Sequence, residues 1–189
     1  YGSDTMSYTA SALSFMFENL TKPIIFTGSQ LPIGDLRTDA KENLITSIQV
    51  AGLRKNGKPV ISEVGLYFEY KLYRANRTTK INAEHFQAFS SMNHPALAES
   101  GVYLSVNYKA LWAPNRKQKT KLHTGFDDNI LVLKMFPGIS ESTVEHILAK
   151  PGLKGVVLET YGSGNAPNTS WFLELLRKKI KEGLFVVNV

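Results

Sequence analysis

Cysteine is absent from the 189 residues, which excludes disulfides, thiol nucleophiles and cysteine metal sites and agrees with a reducing compartment. Histidine is scarce and badly spaced for a metal. His85 and His94 sit near Pro95 in a loop-like stretch, His123 in a polar segment and His146 on a helical pattern, so no metal site is expected. Long apolar runs are missing too. The longest uncharged stretches are short and rich in Ser, Thr and Gly, and no basic region precedes an apolar core at the start, so no membrane association is expected. Neither the Walker nor the dinucleotide glycine pattern occurs, and no cofactor is expected. Internal repeats and low-complexity tracts are also lacking.

What remains is the composition of a soluble globular chain, 43% apolar and 20% charged, long enough for one or two domains. Apolar runs at 24–26, 64–68, 102–106, 130–133, 156–158 and 185–187 alternate with helical patterns. That alternation predicts an α/β fold with mostly parallel sheets, because continuously apolar, β-branched strands suit burial on both faces. Met6, Ala10, Leu13, Phe17 and Leu20 recur at helical spacing behind Asp4 and Thr5, either of which suits an N-cap. Further helices are read through Leu44, Ile48 and Ala51, through Val144, Ile147 and Leu148 behind the cap residue Ser140, and through Phe172, Leu175, Leu176 and Ile180. The polar stretch 107–129 breaks this order. We therefore expect a larger α/β domain over 1–115 with a mostly parallel sheet flanked by helices, a linker over 116–128 and a smaller α/β domain with a parallel sheet over 129–189.

A net charge of +6 raises the possibility of a nucleic-acid module. Its clusters have plainer explanations. Arg177, Lys178, Lys179 and Lys181 end a helix before Gly183, where cations complement the dipole. Arg116, Lys117, Lys119 and Lys121 read as a solvated linker, and no binding motif accompanies them, so no nucleic-acid partner is expected. Phe15, Phe17, Phe86 and Phe89 are read as core residues, without the basic interleaving of a stacking platform.

Four short segments carry chemistry: Tyr1-Gly2-Ser3-Asp4-Thr5-Met6, Thr27-Gly28-Ser29-Gln30-Leu31-Pro32, Asn76-Arg77-Thr78-Thr79-Lys80 and Tyr161-Gly162-Ser163-Gly164-Asn165-Ala166-Pro167. The second and fourth follow apolar strands, where ligands collect in open α/β sheets. Taken singly they read as a cap, a turn, a surface lysine and a glycine-rich loop. Together and in this order they resemble a bacterial-type L-asparaginase of the cytosolic, type I branch, over essentially the whole chain.

That resemblance implies hydrolysis of the asparagine side-chain amide, with Ser3, Asp4 and Lys80 as a proton-handling triad. Substrate contacts would come from Gly2, Ser3, Asp4, Ser29 and Asn165, the last reaching a neighbouring subunit's site. It implies L-asparagine as substrate, a cytoplasmic homodimer or homotetramer, and a threonine nucleophile in a Thr-Gly-Gly-Thr segment. No such segment occurs here, so an upstream strand and loop, and residues beyond Val189, are expected to lie outside this sequence. Tyr1 and Ser3 depart from the commonest His-Gly-Thr-Asp-Thr form. Serine keeps the hydroxyl that threonine would bring and loses a methyl, leaving a freer rotamer. For Lys80 to act as a base it must shed its proton part of the time, which burial or Arg77 favours and Asp4 opposes. Glutamine hydrolysis, a tRNA-linked amidotransferase of the same fold and a non-catalytic relative are the competing readings.

Overall fold

In a computed structural model describing residues 2–162 and 164–189, the first residues form α1 (Ser3–Met16), followed by β1 (Phe17–Glu18), β2 (Ile24–Phe26) and α2 (Ala40–Gly52). Next come β3 (Arg54–Lys55), β4 (Lys58–Pro59), β5 (Val64–Phe68), β6 (Lys71–Arg74), a 3-10 turn at Ala75–Arg77, β7 (Thr79–Lys80) and β8 (Phe89–Ser90). The strands β9 (Ala98–Ser100), β10 (Leu104–Val106) and β11 (Lys121–Leu122) complete a first compact unit that ends at Thr124. A second unit begins at Gly125 and holds β12 (Ile130–Lys134), α3 (Glu141–Leu148), β13 (Gly155–Glu159), α4 (Ser170–Lys181) and β14 (Phe185–Asn188). No described helix is long and apolar enough to cross a membrane.

The first unit is organised on β5, all of whose residues are buried. Leu66 and Phe68 pack with Met6, Ala88 and Phe89, and Val64 packs with Ala10 and Ala75. On the opposite face Tyr67 packs with Val50, Ile61, Leu72 and Leu97. A strand covered by α1 on one side and α2 on the other cannot alternate apolar with polar, which is why this run is continuous. Gly65 occupies the tightest point. A Cβ there would lie 2.8 Å from Leu72 Cδ1 and 3.3 Å from Ile25 Cδ1.

The sheet order is β10-β9-β6-β5-β2. Only β2 and β5 pair in parallel; β5–β6, β6–β9 and β9–β10 are antiparallel. The expectation of a mostly parallel first sheet therefore fails for the described residues. The reason is local: β5 returns as β6 through Glu69 and Tyr70, both at positive φ (42° and 65°), and a two-residue connection joins only antiparallel strands. Asn or Gly would have announced such a turn. Here Asn43 Oδ1 accepts from the Glu69 amide at 2.9 Å and helps hold it.

Other expectations shift in the same way. Gly2, not Asp4 or Thr5, is the N-cap of α1, and no side-chain cap bond forms; both residues lie inside the helix. Helix α1 stops at Met16, so Phe17 and Leu20 lie beyond it. Phe89 is core, whereas Phe15 is 70% exposed. Val102 and Tyr103 are exposed and precede β10 rather than joining it. Helix α2 exists where periodicity placed it, yet Leu44, Ile45 and Ile48 face outward while Asn43, Thr46 and Ser47 are buried.

The basic segment read as a solvated linker is tied onto the first unit. The Arg116 guanidinium donates to Thr21 O, Pro59 O and Ser62 Oγ, and Asn19 bonds Asn115 and Gln118. Strand β11 pairs with β1, and His123 and Lys121 both reach Glu18. The His123 hydrogen bond, and then the Lys121 charge, hold the Glu18 carboxyl below its ordinary value.

The second unit agrees with its expected design. Its sheet is wholly parallel in the order β12-β13-β14. Ser140 caps α3 by accepting from the Thr143 amide, and α4 ends on Lys178, Lys179 and Lys181 before Gly183. Leu133, Val156 and Leu158 join Val144, Leu148, Phe172 and Leu175 in one core. Both helices use that face, so the alternate residues Ile130, Val132, Phe185 and Val187 are exposed rather than covered as their continuous apolarity implied.

Replacing Gly65 by Val overpacks the β5–β6 layer and is expected to destabilise the protein by about 1–3 kcal/mol. Chemical denaturation checks this, and an unchanged midpoint contradicts the packing described.

Candidate active site

The head of α1 meets the end of β7. Lys80 Nζ donates to Ser3 Oγ at 2.8 Å and to Asp4 Oδ1 at 2.6 Å. Its side chain is 15% exposed, that of Asp4 89%. An ammonium shielded along most of its stem thus reaches two oxygens at a helix start. An acidic group in a first helical turn is favoured by the dipole, so Asp4 serves the helix and the ion pair together. A cavity of about 340 Å³ adjoins the pair, lined by Asp4, Ser7, Tyr8, Thr79, Lys80, Ile81, Asn82 and Ala83.

Apolar packing sets this meeting. Strands β7 and β8 pair so that Lys80 lies opposite Phe89, and Phe89 packs with Met6 and Phe68, its ring centroid 5.0 Å from that of Phe68. Met6 is two residues beyond Asp4 on α1. The same cluster that seats the helix therefore delivers the lysine.

Ser29 lies in the loop between β2 and α2, half-buried. Among the described residues no hydrogen bond joins Ser29 to Ser3, Asp4 or Lys80, but its neighbour is connected: Gln30 Nε2 donates to His85 O at 2.9 Å, in the loop after β7. Beneath this loop the Asp39 carboxylate accepts from the Gln30 and Leu31 amides, and Asn43 donates to Gly28 O and to Asp39 Oδ2. Residue-by-residue reading missed Asp39 and Asn43. Their i,i+4 spacing at the start of α2 was the available signal. A second buried polar group lies alongside, where the Tyr67 hydroxyl and Thr46 Oγ1 both donate to Glu42 Oε1. Burial, and then the bond to Glu42, push the Tyr67 hydroxyl well above its usual range.

Gly2, the remaining first-segment candidate, is exposed at the N-cap of α1. Asn165 belongs to the second unit, in the loop after β13, where its backbone exchanges hydrogen bonds with Tyr161 at 2.7 and 3.1 Å. Tyr1 and Ser163 lie outside the described residues. Among the described residues no group of three or more His, Asp or Glu side chains is arranged to hold a metal ion.

Comparison with known proteins now decides the family. Residues 1–112 match the family described as Asparaginase, N-terminal, and residues 129–189 match the Glutaminase/Asparaginase C-terminal domain. The chain belongs to the asparaginase family. It is 43% identical over 189 residues to L-asparaginase 1 of Escherichia coli, covering 100% of this chain and 54% of that protein. It is equally 43% identical over 188 residues to a 60 kDa lysophospholipase of Mus musculus, covering 100% of this chain and 32% of that one. Among solved structures, L-asparaginase I from Vibrio cholerae superimposes with a TM-score of 0.89 at 41% identity, covering 100% of this chain and 56% of that one. The chain thus spans about half the length of these bacterial asparaginases.

Since one partner of the ion pair is largely exposed, Lys80→Met is expected to change folding stability by no more than about 1 kcal/mol. A larger loss on denaturation would make Lys80 a structural residue first.

Proposed function

We propose that the protein is an L-asparagine amidohydrolase, converting asparagine and water to aspartate and ammonia. In this reading Ser3, Asp4 and Lys80 handle protons, and Gly2, Ser3, Asp4, Ser29 and Asn165 contact substrate. The observation that carries it is the single lysine amine shared between a serine hydroxyl and an aspartate at the mouth of a cavity.

An alcohol is a poor nucleophile at neutral pH and an amide a poor electrophile, so the reaction needs both a base and an acid. A hydroxyl oxygen bonds to the amide carbon while its proton passes by way of Ser3 to Lys80, a step that requires the unprotonated amine. Lys80 then returns the proton to the departing nitrogen, which leaves as ammonia. Water attacks the resulting ester, releasing aspartate and restoring the hydroxyl. By resemblance the attacking hydroxyl is that of a threonine in a Thr-Gly-Gly-Thr segment. Asp4 orients Lys80 through one oxygen, and its exposed carboxylate offers an acceptor for the substrate's α-ammonium group.

A cytoplasmic setting rests on the likeness to the type I branch and on a cysteine-free sequence. Self-association as a homodimer or homotetramer, with Asn165 contributing to a neighbouring site, fits the outward apolar residues of α2. Leu44, Ile45 and Ile48 are 46%, 66% and 64% exposed on one protomer, a costly surface unless another subunit covers it. A double substitution of Ile45→Lys and Ile48→Glu is expected to shift the sedimenting mass to a smaller species; an unchanged mass places the interface elsewhere.

Activity is best tested on the full-length protein by ammonia release. Lys80→Met should lower turnover by about 10² to 10⁴, and near-wild-type turnover removes the triad. With asparagine and glutamine at equal concentration, asparagine is expected to react faster. One methylene in a pocket is worth only about 1–3 kcal/mol, so faster glutamine turnover would favour the glutaminase alternative.

A further inference from the structure

The backbone on either side of Ser29 is held from below at the Gly28 carbonyl, the Gln30 amide and both Leu31 groups. Asp39 stands directly before α2 yet makes no capping bond to its own helix. Its carboxylate instead accepts from the Gln30 amide at 3.0 and 3.1 Å and from the Leu31 amide at 3.2 Å. Asn43, 1% exposed, spends its whole side chain on the same region. Its Nδ2 donates to Gly28 O and to Asp39 Oδ2, each at 3.0 Å, and its Oδ1 accepts from the Glu69 amide at 2.9 Å. Thr38 Oγ1 completes the arrangement by donating to Leu31 O at 3.0 Å and accepting from the Ala40 amide.

Ser29 lies between these ties. The Gly28 carbonyl, the Gln30 amide and both Leu31 backbone groups are engaged, whereas among the described residues the Ser29 amide, carbonyl and hydroxyl have no hydrogen-bond partner. Backbone groups fixed by hydrogen bonds on either side, charge-assisted at Gln30 and Leu31, lose little freedom when a ligand uses the group between them. We propose that Asp39 and Asn43 are positioning residues that present the backbone of Ser29 to the substrate's polar groups. This rests on the asparaginase reading of the site. Asp39 touches no reacting atom; it acts through the loop.

The polarity of the clamp specifies its failure. Asparagine at position 39 keeps the shape but offers one acceptor oxygen, and its own Nδ2 would point at amide donors. In the full-length protein, Asp39→Asn is therefore expected to raise KM for asparagine by about tenfold or more, with a smaller change in kcat, because a binding contact is loosened. Hydrogen exchange at the Gln30 and Leu31 amides should accelerate by about 100-fold while the β5 amides stay protected, the signature of local opening. Asp39→Glu, which keeps the carboxylate, should recover part of the KM.

A residue that merely stabilises the fold would lower the active fraction, reducing kcat with KM unchanged; that outcome, or unchanged exchange at Gln30 and Leu31, overturns the proposal. A wild-type protein that releases no ammonia from asparagine sinks the asparaginase reading instead, and the exchange experiment still decides whether the clamp exists. Should Asp39→Asn fail to fold, Thr38→Val removes only the tie at Leu31 O and the Ala40 cap. A threefold or greater rise in KM then supports the positioning role, and an unchanged KM counts against it.

Discussion

Burial of β5 on both faces is the constraint on which the site depends. Leu66 and Phe68 seat α1 through Met6, while the same Phe68 ring packs on Phe89. Phe89 faces Lys80 across the β7–β8 pair. A close-packed interior transmits position, since shifting one ring forces its neighbours to move. The head of α1 and the tip of β7, far apart in sequence, are thereby held so that Ser3, Asp4 and Lys80 meet. Ala10 and Ala75, both fully buried beside Val64, let the helix approach closely enough for the contact to close.

The other face of β5 is handled differently. Helix α2 presents a polar inner surface, and almost all of that polarity is satisfied: Ser47 donates to Asn43 O, Thr46 and Tyr67 donate to Glu42, and Asn43 bridges the β2 loop and the β5–β6 turn. Buried polar groups are tolerated when they are bonded and costly when they are not. Turning that polarity inward supports the loop beneath Ser29 and leaves Leu44, Ile45 and Ile48 outside. Both follow because the faces of one helix have exchanged their usual roles.

Electrostatically the site is asymmetric. Lys80 is mostly shielded and Asp4 mostly exposed. A pair of this kind contributes little to stability. What it does is aim the amine: with two oxygen partners the Lys80 nitrogen has one favoured direction, towards the cavity that Tyr8 and Asn82 line. The clamp at Asn43 belongs to α2, which packs on the face of β5 opposite α1, and Gln30 links its loop to His85 beyond β7.

Much of this was legible in the residues. The α/β class, the positions of the four described α-helices, the capped start of α3, the cationic end of α4 and the parallel sheet of the second unit follow from period, caps and apolar runs, which are local properties. Ser3, Asp4 and Lys80 stood out because four short motifs occur in one order. The antiparallel return at Glu69-Tyr70 did not, since neither residue announces a positive φ and a buried asparagine from α2 supports the turn. Nor did the role of Arg116, whose charge looked solvated until three acceptors far away in sequence surrounded it. The chain alone determined which segments are helical or extended and which side chains are chemically able. Only the folded packing decided which strands run antiparallel, which face of α2 is inside and that Lys80 lands on Ser3 and Asp4, because pairing and burial depend on contacts between residues that local sequence cannot relate.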